Sequence, residues 1–155
     1  MTMVYAMMVL SCGLAFASAA DPSKSDDGKK DLERFQGTWA GIHVQHEGET
    51  GTIAGTESPY RFVFKGDKVT ILADVEGASP MGTFKLDATK KPKAIDLIFS
   101  PAGSDGKNQR ILGIYAFEGE ALKLCYGPDG VERPTRFEAK AGSKRIAITF
   151  QRIKE

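Results

Sequence analysis

The sequence of 155 residues has almost no excess of charge of either sign, because 21 Lys and Arg residues oppose 20 Asp and Glu residues. Such a chain lacks the strong positive field that attracts nucleic acid, so we predict no nucleic-acid partner. It also lacks the compositional bias of disordered or collagen-like proteins, since 41% of its residues are apolar and 26% are charged. Its length and composition are those of one globular domain.

Signatures of catalysis and metal binding are also scarce. The sequence contains no Gly-x-Ser-x-Gly motif and only two histidines, His43 and His46. On a strand, residues three positions apart point to opposite faces, so both imidazoles would reach one metal ion only across a bulge. We therefore predict no enzyme activity, no metal site and no cofactor. The basic run at residues 90–93 is flanked by Asp87 and Asp96 and is predicted to be a solvated turn.

The longest apolar segment lies at the start of the chain. Residues Val4 to Phe16 are followed by small side chains at residues 17–20, which is the pattern of a signal peptide and its cleavage site. We predict that residues 1–20 are removed, that the protein is exported to the periplasm or the extracellular space, and that no membrane span remains. An uncleaved anchor and a lipoprotein signal ending at Cys12 are the alternatives, and the Ala- and Ser-rich end of the segment favours cleavage.

A short helix is predicted after the leader. Residues 21–30 contain no large apolar side chain and are predicted to form a flexible tether. Leu32 and Phe35 then lie three residues apart, between Asp31 as the predicted N-cap and Gly37 as the predicted stop. This spacing predicts a helix of one or two turns.

From Thr38 onward, apolar and polar residues alternate, and turn residues such as Gly66-Asp67 separate the runs. The predicted strands are Trp39–Gln45, Tyr60–Lys65, Val69–Ala73, Gly82–Leu86, Ala94–Phe99, Ile111–Glu118, Ala121–Tyr126, Arg136–Ala139 and Arg145–Arg152. Because closing such a meander removes its unpaired edges, we predict an all-β, antiparallel up-and-down barrel over residues 31–155, with a sandwich as the alternative. The longest loop is predicted at residues 47–59.

The residues Gly37-Thr38-Trp39, which open the first predicted strand, resemble the entry signature of lipocalins and related calycin barrels. In those barrels the Trp closes one end, and an Arg from the last strand packs across its ring. The resemblance implies this closing role for Gly37, Trp39 and Arg152.

A second resemblance covers nearly all of the chain after the leader. The order of several segments is similar to a family of uncharacterised exported domains known chiefly from planctomycete bacteria. These segments are Leu32–Trp39, Phe64–Asp67, Gly82–Asp87, Lys90–Asp96, Leu112–Tyr115, Leu122–Cys125 and Arg133–Thr135. The resemblance implies a lipocalin-like barrel outside the cytoplasm, and it assigns no activity and no catalytic residue.

Two functions suit such a barrel. In the first, the interior binds a small apolar molecule through a few polar groups on an apolar wall. The candidate contact residues are His43, Gln45, Tyr60, Arg61 and Tyr115. His43 and Trp39 lie an even number of positions apart on the first strand and so point to the same face. His43 is therefore expected inside the barrel unless a bulge intervenes. In the second function, the core is solid, and the outer face or the loop at residues 47–59 engages a protein of the cell envelope.

Two further residues have alternative interpretations. Asp96 lies in a predicted strand with mainly apolar faces, so its carboxylate needs a partner. A Lys or Arg on the neighbouring strand would supply one, and a pocket acid with a raised pKa is the alternative. Cys125 loses its only disulfide partner if Cys12 leaves with the leader. It is predicted to be a half-buried small hydrophobe, with a reactive thiol or an intermolecular bridge as alternatives.

Overall fold

A computed structural model describes residues 22–53, 58–72, 81–100 and 106–154. Within these ranges the chain forms one helix and nine strands. They are α1 (Pro22–Phe35), β1 (Gly37–His46), β2 (Glu49–Thr52), β3 (Arg61–Lys65), β4 (Lys68–Leu72), β5 (Met81–Asp87), β6 (Lys93–Phe99), β7 (Gln109–Glu118), β8 (Ala121–Tyr126) and β9 (Ile146–Arg152). The predicted leader, with Cys12, lies outside the described residues.

The strands form one antiparallel sheet that closes on itself. Their order is β2-β1-β3-β4-β5-β6-β7-β8-β9, and β1 also pairs with β9. β2 is an additional strand, which pairs with residues 43–46 of β1, whereas β3 pairs with residues 37–40. The closed wall therefore contains eight strands, β1 and β3 to β9. The predicted all-β, up-and-down barrel is confirmed, and the alternative of a sandwich is not.

The directions of the strands give the barrel two different ends. α1, the first residues of β1 and the turns after β3, β5 and β7 lie at one end, which we call the helix end. The last residues of β4, β6 and β8 lie at the opposite end. Residues 127–145, which connect β8 to β9, fold back along the outside of the wall. There the N–H of Gly48 donates to the carbonyl of Ala139 (2.7 Å).

Two of the predictions about the strands are wrong. The segment Arg136–Ala139 is irregular and is not a strand, because its backbone forms a hydrogen bond with a side chain of β1 and does not pair with the backbone of a neighbouring strand. The N–H of Ala139, for example, donates to Oε1 of Gln45 (2.9 Å). β2 lies inside the predicted loop at residues 47–59. All four of its residues are exposed, so it lacks the alternation of apolar and polar residues that identifies a strand.

The helix is longer than the predicted one or two turns. α1 has 14 residues and includes residues 22–30 of the segment predicted as a tether, and Asp31 lies inside the helix and not at its N-cap. Lys30 and Asp26 form an ion pair one turn apart (3.3 Å), which supports a polar helix that has no apolar periodicity. Phe35 is fully buried whereas Leu32 is exposed, so one of the two predicted apolar contacts docks the helix on the barrel.

Large side chains fill the interior of the barrel. The buried apolar residues of the wall are Trp39, Phe62, Phe64, Val69, Phe84, Ile95, Leu97, Phe99, Tyr115, Leu122, Leu124, Ile148 and Phe150. Phe35 of α1 plugs the helix end, where its ring centroid lies 5.0 Å from that of Phe64. Deeper in the barrel, the ring centroids of Phe62 and Phe150 are also 5.0 Å apart. Each fully buried side chain of this size contributes roughly 1.5–3 kcal/mol to folding.

Candidate functional site

A β-bulge in β1 redirects the side chains that follow it. The pairing of β1 with β9 shifts register between Gly41 and His43. After the shift Val44 packs against the buried core, whereas His43 is exposed and its Nδ1 lies 3.2 Å from Oγ1 of Thr52. The expectation that His43 points inward like Trp39 is therefore wrong, because one extra residue reverses the parity of a strand.

Three other predicted contact residues lie at separate places in the wall. Gln45 faces the outer segment, where its amide oxygen accepts from Ala139. Tyr60 packs against the buried core, and its carbonyl accepts from the N–H of Gly41 (2.8 Å). Arg61 begins β3, one residue before the buried Phe62, and so lies on the outer face. His43 and Gln45 line one cleft, but Tyr60, Arg61 and Tyr115 do not line it, so the five predicted contact residues do not share one pocket.

Tyr115 points into the helix end and forms a polar cluster with α1. Its hydroxyl donates to Oδ2 of Asp31 (2.7 Å), and Nζ of Lys93 lies 2.6 Å from the same oxygen. Burial raises the pKa of Tyr115 above its usual value, and the hydrogen bond to Asp31 raises it further. Asp31, Lys93 and Tyr115 form what we call the Asp31 cluster. The sequence analysis assigned Asp31 only an N-cap role, although it precedes Phe35 by one helical turn and therefore shares its face.

Trp39 closes the helix end of the barrel. Its indole N–H donates to the carbonyl of Phe35 (2.7 Å), and the guanidinium carbon of Arg152 lies 4.4 Å from the ring centroid. Arg152 also donates to the carbonyl of Gln36. Gly37 has a φ of +108°, and a Cβ atom there would lie 3.1 Å from Nη1 of Arg152. A side chain at position 37 would therefore strain the backbone and crowd the guanidinium.

Asp96 is held between two arginines on the outer face of β6. Its Oδ2 lies 2.6 Å from Nη2 of Arg110, and its Oδ1 lies 2.5 Å from Nη2 of Arg133. Arg133 also donates to the carbonyls of Ile95 (3.0 Å) and Gly113 (2.6 Å), which fixes its position. Burial acts to raise the pKa of Asp96, but the two guanidinium groups outweigh it and hold the pKa below its usual value. The alternative of a pocket acid with a raised pKa is therefore wrong.

We expect Asp96→Asn to destabilise the barrel and to flatten the dependence of its stability on acidic pH. Because the folded-state pKa of Asp96 is lowered, its contribution is complete above the unfolded-state pKa of about 3.9 and is lost as the pH falls through the lower folded value. Urea unfolding measured from neutral to acidic pH tests this expectation. At neutral pH we expect a loss of about 1–2 kcal/mol, as for a half-buried charged hydrogen bond that water partly screens, because the Asp96 side chain is 17% exposed and that of Arg110 is 64% exposed.

Asp87 supplies an internal reference for this experiment. Hydrogen bonds from Thr89 lower the pKa of Asp87, and this carboxylate is unchanged in the Asp96→Asn variant. In both proteins the free energy of unfolding is therefore still expected to fall as the pH becomes acidic. Identical slopes for the variant and the unmodified protein would contradict the prediction.

Cys125 is fully buried beneath the outer segment. Its Sγ lies 3.8 Å from the carbonyl of Glu138. Burial raises the pKa of the thiol, more than the nearby Arg145 lowers it. A buried thiol with a raised pKa is a poor nucleophile, which favours a packing role over a reactive thiol or an intermolecular bridge.

Within the described ranges, no group of three or more His, Cys, Asp or Glu side chains is placed to hold a metal ion. His46 pairs with Glu49 across the β1–β2 hairpin, and both are exposed. Among the same residues, no helix is both long and apolar enough to cross a membrane.

Comparison with known proteins was made at the level of families, sequences and folds. The chain matches no family model, no curated protein and no solved structure. Function is therefore inferred from the residues and contacts of this chain.

Proposed function

We propose that this chain is an exported, lipocalin-like interaction domain that contacts an envelope protein through the outer surface of a solid barrel, and that it belongs to the exported family it resembles. The filled interior carries this proposal. A small-molecule site needs roughly 300 Å³ or more of space. Rings such as Phe62, Phe64 and Phe150 occupy the interior, so a ligand there would have to displace them.

The polarity of the interior supports the same conclusion. Binding sites for small molecules combine an apolar wall with a few polar groups that fix orientation. Here the hydroxyl of Tyr115 is already bound to Asp31. His43, the polar group expected inside, lies outside. A small apolar ligand in the interior is therefore the less favoured of the two functions.

β2 offers a contact surface of the required kind. All four of its residues are exposed, and one edge of the strand pairs with no other described strand. An unpaired edge presents free backbone N–H and C=O groups to which a partner can add a strand. The apolar leader at residues 4–16 supports the setting outside the cytoplasm.

Native mass spectrometry tests two parts of the proposal, the export of the chain and the solid interior of the barrel. The sample is the protein purified from the envelope of cells that express the full chain. We expect the mass of a chain that begins at Asp21, without a neutral lipophile. The mass of the intact 155-residue chain would contradict cleavage of the leader. A neutral lipophile retained in equal amount would contradict the solid barrel.

Photo-crosslinking in the intact envelope tests the contact surface. A photoreactive side chain at Thr50, in the centre of β2, is expected to form an adduct with another protein. The matched position is Lys65, which is also exposed but lies in β3, a strand paired on both sides. Adducts from both positions in equal yield, or none from Thr50, would contradict a contact at the β2 edge.

A further inference from the structure

A basic groove crosses the helix end beside α1. It has a volume of about 460 Å³ and lies between α1, the turn that joins β5 to β6, and β7. This volume is within the range of small-molecule sites, roughly 300–1,000 Å³. We call it the lysine groove, and its defining residues are Arg34, Lys90, Lys91, Lys93 and Phe117.

Positive charge dominates the lining of the lysine groove. Its four cationic side chains share the lining with one carboxylate, that of Asp27, and the carboxylate of Asp87 interacts electrostatically with Lys90. Lys93 is already paired with Asp31. Lys90 and Lys91 are exposed, and neither forms an ion pair with a described residue. Because the whole chain carries a net charge of only +1, this local excess of positive charge favours an anionic ligand.

The floor of the groove is apolar. Ala116, Phe117 and Phe137 line it, and each is half-buried. The guanidinium carbon of Arg34 lies 4.0 Å from the ring centroid of Phe117, and Nη2 donates to the carbonyl of Gly119 (2.8 Å). Arg34 is thus a fixed cation on an aromatic floor, next to two ammonium groups on flexible stems.

We propose that the lysine groove binds a free single-chain carboxylate, with its head at Lys90 and Lys91 and its chain on Ala116 and Phe137, since Arg34 already covers Phe117. The lysines match an anionic head, the aromatic floor matches an apolar chain, and the volume suits one short chain. The inference goes beyond the proposed function, because a ligand at the helix end requires neither export nor a partner at β2. It also gives the turn at residues 90–93 a role beyond that of a solvated turn.

Calorimetric titration of the purified protein with decanoate, below its micellar concentration, tests the proposal. Decanoate is expected to bind saturably. Acetate has the head without the chain, and 1-decanol has the chain without the charge. Each is expected to bind at least about tenfold more weakly than decanoate, because each lacks either the apolar chain or the charged head.

A pair of double variants tests the position of the site. Lys90→Gln/Lys91→Gln is expected to raise the Kd of decanoate about tenfold, because two charge-assisted contacts are lost. The matched control is Lys65→Gln/Lys68→Gln, which removes two exposed lysines from the β3–β4 hairpin. This control lowers the net charge by the same amount, so it separates the loss of a local contact from a general loss of electrostatic attraction. We expect it to change the Kd of decanoate by less than about twofold.

Several outcomes would overturn the proposal. They are the absence of saturable decanoate binding, binding of 1-decanol as tight as that of decanoate, and equal losses in the two double variants. Binding to phosphatidylglycerol vesicles without binding of monomeric decanoate would indicate a membrane contact and would overturn it as well. None of these results changes the mass of the envelope-purified protein or the crosslink at Thr50, so the failure of either proposal is distinguishable from failure of the other.

Discussion

Trp39→Ala is expected to lower the free energy of unfolding by about 3–5 kcal/mol, the usual range for a large buried aromatic residue. The Trp39 side chain is 1% exposed, so its removal leaves a cavity at the helix end. It also leaves the carbonyl of Phe35 without its donor and Arg152 without the ring on which it stacks. Since domains of this size are stable by about 5–15 kcal/mol, the loss is a large share of the total.

Urea unfolding followed by far-ultraviolet circular dichroism measures this effect. Trp39→Phe, which keeps an aromatic ring but removes the N–H, is expected to lose less than the alanine variant. Met81→Ala is the surface control, because Met81 is 63% exposed, and its effect is expected to stay within about 0.5 kcal/mol. A Trp39→Ala variant as stable as the Met81→Ala variant would contradict a closing role for the indole.

The fold was largely predictable because its main determinant is local. Alternating residues such as Phe62 and Phe64 fix one face of a strand toward the interior, and short turns leave few ways to connect neighbouring strands. Alternation does not show what a segment pairs with. Arg136–Ala139 alternates like a strand, yet its backbone bonds to a side chain of β1, whereas the polar β2 pairs without any alternation.

The candidate sites were less predictable because they depend on small shifts and on distant residues. A shift of one position between Gly41 and His43 reverses the direction of every later side chain in β1, and no residue pattern marks it. The lysine groove combines α1, the turn after β5, β7 and Phe137. The sequence shows the lysines as a run, but the aromatic floor beneath them exists only after the barrel has closed.

Asp31→Ala is expected to have the second largest effect, a loss of about 2–3 kcal/mol, because it removes the shared acceptor of Tyr115 and Lys93. The Asp31 side chain is 6% exposed and that of Lys93 is 38% exposed. The loss should therefore lie below the roughly 3–5 kcal/mol of a fully buried pair, since water reaches the Lys93 ammonium. Hydrogen exchange should accelerate in α1 more than in β6 to β9, because the Asp31 cluster ties the helix to the barrel.

A double-mutant cycle with Tyr115→Phe separates this contact from a general loss of packing. In the unmodified protein Tyr115→Phe is expected to cost about 1 kcal/mol, because it removes one hydrogen bond to Asp31. In the Asp31→Ala background the same change removes a buried hydroxyl that has lost its acceptor, so it should be neutral or stabilising. Asp26→Ala breaks the exposed pair with Lys30 on the same helix and should cost no more than about 0.5 kcal/mol. Additive effects of Asp31→Ala and Tyr115→Phe would show that the carboxylate and the hydroxyl do not stabilise each other.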